Sequence, residues 1–147
     1  MYKNILLPVD GSEFGMGSVP YAIDFAQSVG ARITALNVTT PYESAAIDAF
    51  ATSLPGEEYR ERIDANATAI LRKVKSAAEA AGVPVTAYHV PNIQPWDAII
   101  KAAKEHGCDL ILMASHGRAG IMGVLLGSET KKVLTHTTIP VLVWRGA

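Results

Sequence analysis

The chain has 147 residues, and its 13 basic and 14 acidic side chains leave a formal net charge of −1. That length fits one domain, and 49% hydrophobic against 18% charged residues supplies a core and excludes general disorder. The near-neutral balance argues against a nucleic-acid grip, which needs a basic face. A lone cysteine, Cys108, excludes an internal disulfide, a zinc ribbon and a redox Cys-x-x-Cys pair. At the N-terminus, Pro8 and Asp10 interrupt the apolar run too early for a signal peptide. The longest stretch free of Asp, Glu, Lys and Arg, Ala80 to Trp96, carries Pro84, His89, Pro91 and Pro95. A membrane span needs about 20 mostly apolar residues without such breakers. The expectation is one cytoplasmic domain, 1–147, with no direct membrane insertion and no nucleic-acid partner.

Short apolar runs alternate with amphipathic segments along the chain. Ile5 to Val9 is predicted as a first strand, buried on both faces because it is apolar without alternation. A helix follows and stops at Gly30, with Ser18 as its cap and Pro20 in its first turn. Tyr21, Phe25 and Val29 recur at a spacing of four, on one face. Ile33 to Thr39 is a second strand. Residues 40–56, between Pro41 and Pro55, read as a long irregular connection of the kind that is often functional. Glu57 to Ala81 is a charged helix closed by Gly82, with Ile63, Ile70, Val74 and Ala77 facing inward. Val83 to Val90 is the third strand, and Gln94 to Glu105 a helix closed by Gly107. Leu110 to Met113 is the fourth strand. A last helix opens at Gly127 or Ser128 and ends near His136, before a final strand from Ile139 to Trp144.

Strands alternating with helices imply parallel strands joined by right-handed crossovers. Five strands and four helices fit an α/β, doubly wound parallel sheet with helices on both faces. Ligands of such sheets bind beyond the carboxyl ends of the strands. After the first strand comes Asp10-Gly11-Ser12; after the fourth comes Ala114-Ser115-His116-Gly117, then Gly120, Gly123 and Gly127-Ser128 at a helix start. Small residues here let backbone approach a ligand, and a helix N-terminus receives phosphate. The same glycines also suit a flexible connection, and Asp-Gly is a common turn pair. No P-loop, dinucleotide fingerprint or G-x-S-x-G elbow occurs, against P-loop ATPases, dehydrogenases and esterases.

The segment Ala114-x2-Gly117-x9-Gly127-Ser128 resembles the universal stress protein signature G-x2-G-x9-G-[ST], with Ala114 at its first glycine. The opening Ile5-Leu6-Leu7-Pro8-Val9-Asp10-Gly11-Ser12 and the closing Pro140-Val141-Leu142-Val143 are similar to that family's first and last strands. The other three motif positions stand intact, which groups the chain with the ATP-binding branch. The resemblance implies a sheet ordered 3-2-1-4-5. It implies that Pro8, Val9 and Asp10 border a nucleotide, with Asp10 near the ribose or the metal-phosphate region. Val38 would face adenine, and Met113 and Ala114 would line ribose and base. Amides of Gly117, Gly127, Ser128, Glu129 and Thr130 would hold phosphates of ATP, AMP or ADP. Mg²⁺ would join Asp10 to phosphate oxygens. The family also implies a homodimer, or a higher oligomer, built on strand 139–144, whose apolar edge needs covering.

Other residues carry structural readings. Ser128 suits an N-cap with or without a ligand, and Cys108 suits a small core side chain. Met113 fits a core role on composition alone. Trp96 suits packing at a helix start, and the charges from Glu57 to Asp64 suit a solvated face. His116 and Arg118 fit either phosphate contacts or exposed loop positions. The four histidines lack ligand spacing. Ile121, Met122, Val124, Leu125 and Leu126 form an apolar cluster suited to covering a ligand or meeting a partner. The expected function is a nucleotide-dependent regulator in stress response acting on a partner such as a transporter or an enzyme, not itself an enzyme. The alternatives are a slow ATPase or nucleotide-transferring enzyme, and a nucleotide-free interaction protein.

Overall fold

The apolar run at the N-terminus becomes the central strand: Ile5, Leu6 and Leu7 are fully buried, and alternate side chains enter opposite faces of the sheet. The computed structural model describes residues 1–45, 55–117 and 126–146. In chain order the elements are β1 (Asn4–Pro8), α1 (Glu13–Met16), α2 (Ser18–Val29), β2 (Arg32–Thr39), α3 (Tyr42–Ala45), α4 (Gly56–Ala80), β3 (Val85–Pro91), α5 (Pro95–Glu105), β4 (Leu110–Ala114), α6 (Ser128–His136) and β5 (Val141–Trp144). The five strands lie in the order β3-β2-β1-β4-β5, every neighbour parallel. The expected doubly wound sheet is thus the observed one.

Each face of the sheet has its own core. Ile5, Leu7, Ile33 and Ala35 pack under α2 and α4, against Ala22, Ala26, Leu71 and Val74. Leu6, Leu36, Ile111 and Met113 pack under α5 and α6, against Ile99, Ala103 and Val133. Fully burying one such Leu or Ile side chain stabilises the fold by about 1.5–3 kcal/mol. Cys108 is buried in the second core, as expected, and burial pushes its thiol pKa up. Among the described residues, no helix is long and apolar enough to cross a membrane.

Several local expectations are corrected. Ser18 is the first residue of α2, not its cap; the cap is Gly17, and the buried Ser18 hydroxyl donates to Gly15 O at 2.7 Å. Tyr21 is exposed, and the buried face of α2 is Val19, Ala22, Ile23 and Ala26. On α4, Ala77 points to solvent while Ala67, Ile70, Leu71, Val74 and Ala78 are buried. Spacings of three and four keep that stripe on one side, and Ala77 falls just off it. The connection 40–56 begins with the turn of α3, and residues 46–54 lie outside the described ones, as do Arg118, Gly120, Ile121, Met122, Gly123, Val124 and Leu125.

From β1 the chain winds through β2 and β3 to one side, and from β4 to β5 on the other. The carboxyl ends of β1 and β4 therefore flank the point where strand order reverses, the usual ligand crevice of such sheets.

Candidate functional site

A cleft of about 650 Å³ opens at that point, within the roughly 300–1,000 Å³ range of small-molecule sites. It brings together Pro8, Val9, Asp10, Val38, Met113, Ala114, Gly117, Gly127, Ser128, Glu129 and Thr130, the residues that the family resemblance implies for the site. Gly15, Leu36, Pro95, Ile99, His116, Leu126 and Lys131 complete the lining. Of these, Leu36 was accessible from its period-two spacing to Val38 on β2, and Ile99 from its spacing of four to Pro95 on α5. Nothing in the sequence marked Gly15 or Lys131.

The first wall follows β1. Val9 N donates to Leu36 O at 2.8 Å, and the buried Asn37 side chain donates from Nδ2 to Val9 O at 2.8 Å, so the end of β1 is held against β2. Asp10 then closes a tight local turn: its Oδ1 accepts from Ser12 N at 2.9 Å and from Ser12 Oγ at 2.7 Å. Gly11, at φ +82°, supplies the left-handed backbone this turn requires. Ser12 Oγ in turn accepts from Gly15 N at 3.0 Å and caps α1.

The second wall joins β4 to α6. Ser115 N donates to Trp144 O at 2.8 Å and continues the sheet ladder. Ser115 O then receives Gly127 N at 2.6 Å and Thr130 Oγ1 at 3.3 Å, while Thr130 Oγ1 also lies 3.1 Å from Ala114 O. These bonds seat the first turn of α6 on the end of β4. A Cβ at Gly127 would lie 3.0 Å from Ser115 O, so glycine permits this close approach. Gly127 is also the N-cap of α6 and makes no side-chain cap bond. First-turn helix amides have no intrahelical acceptor, and they carry the positive end of the helix dipole. A Cβ at Gly117 would come within 2.6 Å of Asp10 Oδ2, so glycine permits this close approach as well.

Pro8, Leu36, Val38, Pro95, Ile99 and Met113 give the lining an apolar part, and Lys131 adds a cation to it. Met113 serves both the second core and the cleft. His116 lies on the rim, with Nδ1 2.7 Å from Ser115 Oγ and its ring edge-on to Phe14 at 5.3 Å. Phe14 packs in turn on Trp144 of β5 at 5.2 Å. Trp96 does pack as expected, stacked on the His136 ring at 4.4 Å. In the first turn of α5, hydrogen bonds from Lys101 and Asn92 hold the Asp97 carboxyl below its ordinary pKa. The cleft thus combines helix amides, the Asp10 carboxylate and the Lys131 cation with an apolar surface.

Fold and cleft together define a doubly wound α/β protein with a small-molecule crevice at its switch point. Residues 1–145 match the model of the Universal stress protein family, and the chain belongs to that family. It is 30% identical over 149 residues to universal stress protein MJ0531 of Methanocaldococcus jannaschii, covering 97% of this chain and 82% of that protein. The solved structure of protein MJ0577 superimposes with a TM-score of 0.83 at 29% identity, over 100% of this chain and 98% of the other. A universal stress protein solved in complex with cAMP aligns with a TM-score of 0.71 at 25% identity, over 98% of this chain and 97% of the other.

Proposed function

We propose that the cleft holds an adenine nucleotide, ATP or its products ADP and AMP, and that occupancy regulates a partner in stress response. The observation that carries this reading is the convergence of all eleven residues implied by the family resemblance on one cleft, which pairs an apolar surface with a helix N-terminus bare of a side-chain cap. Adenine belongs on that surface, against Val38 and Met113. Phosphates belong on the amides of Ser128, Glu129 and Thr130 and beside Gly117, where a helix N-terminus favours anions; the Gly127 amide, expected among them, is already spent on Ser115 O. That a relative at 25% identity was solved with cAMP also supports a nucleotide of this class.

The residues suit Mg²⁺ as a companion of the phosphates. Among the described residues, no group of three or more His, Cys, Asp or Glu is placed to hold a metal by itself. Mg²⁺ commonly takes one or two carboxylates together with substrate phosphates, and Asp10 faces the cleft with such a carboxylate. Mg²⁺ would neutralise phosphate charge there, while Ser12 fixes the orientation of the carboxylate.

The protein acts in this reading as a binder and not as an enzyme, working in the cytoplasm as a single domain. It pairs with a second copy along β5, whose residues are half-buried in the isolated chain and would be covered by such a partner. Purified protein titrated calorimetrically with Mg²⁺ and ATP, ADP, AMP or cAMP tests the reading. Saturable binding of an adenine nucleotide is expected; no uptake of any of them at millimolar concentration would remove it. Phosphate release near background separates the binder from a slow ATPase.

A further inference from the structure

A carboxylate at the mouth of an anion site is a paradox, and Glu129 presents one: it sits in the first turn of α6 and lines the cleft. Its oxygens, however, are both engaged elsewhere. Oε2 accepts from the Trp96 backbone amide of α5 at 2.8 Å, and Oε1 lies 3.9 Å from Lys132 Nζ. Gln94, the N-cap of α5, makes no side-chain cap bond of its own. Trp96 N is a first-turn amide, one of the donors that a helix cannot satisfy internally. A negative charge there is favourable. Glu129 therefore caps a helix other than its own.

We infer that Glu129 is a positioning residue: its bond to Trp96 locks the first turn of α5 to the first turn of α6 and so fixes the width of the cleft between them. Pro95 and Ile99 bring α5 into the cleft wall, while Gly127 and Ser128 form the wall on α6. Further along α6, the His136 ring stacks on the indole of the same Trp96. Trp96 is thus gripped by α6 at its amide and at its ring. The arrangement also turns the Glu129 charge away from the amides of its own helix, so the phosphate position keeps its attraction for anions. In this role the Glu129 side chain acts through the geometry of two helices. This inference rests on the nucleotide reading of the cleft.

The test compares Glu129→Ala with Glu129→Gln, which keeps an acceptor oxygen without the charge. ATP affinity is measured by calorimetry, and exchange of the Trp96 amide is followed by NMR in nucleotide-free protein. Loss of a bond to a charged acceptor predicts about tenfold weaker ATP binding and faster Trp96 exchange in the alanine variant. The glutamine variant should stay within about threefold of the parent, because a neutral hydrogen bond keeps much of the constraint. Unchanged or tighter binding in the alanine variant overturns the inference, the latter because the carboxylate would then only repel phosphate. An equal loss in both variants also overturns it, since charge rather than the bond would be responsible. A lowered melting temperature with ATP affinity intact would reduce Glu129 to a structural cap and overturn it too. Should the parent protein bind no adenine nucleotide, the proposed function falls first; parent binding with an undiminished alanine variant removes only the role of Glu129.

Discussion

The two ends of the sheet treat their backbone amides in opposite ways. At the amino ends of the strands, the protein supplies its own anion: the Asp109 carboxylate accepts from Lys3 N at 2.8 and 3.1 Å and from Asn4 N at 3.0 Å. Asn4 in turn donates from Nδ2 to His106 O at 3.0 Å and accepts from Thr34 Oγ1 at 2.9 Å. At the carboxyl ends, Gly117 and Gly127 let backbone press against Asp10 Oδ2 and Ser115 O, and α6 begins without a side-chain cap. One end closes its amides with its own carboxylate, beside a smaller cavity of about 310 Å³ lined by Asn4, Thr34 and His106, while the other leaves helix amides open to a guest. A net charge of −1 says little about that, because peptide dipoles absent from a side-chain tally act at the open end beside the single Lys131 of its lining.

Disturbing the open end should have the largest effect. A side chain at Gly117 collides with the Asp10 carboxylate that lines the cleft, and Gly117→Val is expected to weaken nucleotide binding by at least about a hundredfold, some 2.7 kcal/mol. Far-ultraviolet circular dichroism should stay that of the parent; unchanged affinity would break the contrast between the ends. Thr130→Val comes next, because it removes the hydroxyl that ties α6 to the end of β4. It should cost about 1–3 kcal/mol in denaturant unfolding, since two carbonyl partners sit in a buried setting. It should weaken ATP binding as well, and a loss of stability alone would detach this anchor from the site.

At the closed end, Asp109→Ala should lower stability by about 1–2 kcal/mol through its lost amide bonds. It should leave nucleotide affinity within about twofold, and a larger change would show that the two ends are not independent. The smallest expected effect is a pH effect beside the cleft. Hydrogen bonds from Lys101 and Asn92 lower the pKa of Asp97 in the folded state. Its contribution to stability is therefore present above the unfolded carboxyl pKa and is lost as pH falls through the lower folded value. An NMR titration should place the Asp97 midpoint below that of an ordinary aspartate and return it upward in Lys101→Met; a midpoint at the ordinary value would contradict this.

The closed and open ends were not equally legible in the sequence. Apolar runs such as Ile5–Leu7 mark buried strands without help from context; doubly wound sheets then point to Asp10–Ser12 and Ala114–Gly117 after their strands, while Val38, Met113, Glu129 and Thr130 came only from the family resemblance. The turn of α1 was hidden because Gly15 and Gly17 disfavour helix. Both are needed for tertiary reasons: a Cβ at Gly15 would lie 2.8 Å from Asp10 Oδ1, and one at Gly17 would lie 2.7 Å from the Trp144 ring. The side-chain roles of Asp109 and Glu129 were hidden for a related reason. Each serves a backbone amide far away in sequence, 106 residues for Lys3 and 33 for Trp96, and no local pattern reports such a bond. The inward stripe of α4 was misplaced only at Ala77, whose small side chain gives a weak signal of face.

The most direct test of the account is a two-dimensional NMR titration of the protein with Mg²⁺ and ATP. The account predicts that the amides of Gly117, Gly127, Ser128, Glu129 and Thr130 shift and saturate together, while those of Lys3, Asn4 and His106 stay in place. No saturable shifts, or shifts centred on the Asp109 end of the sheet, would contradict it.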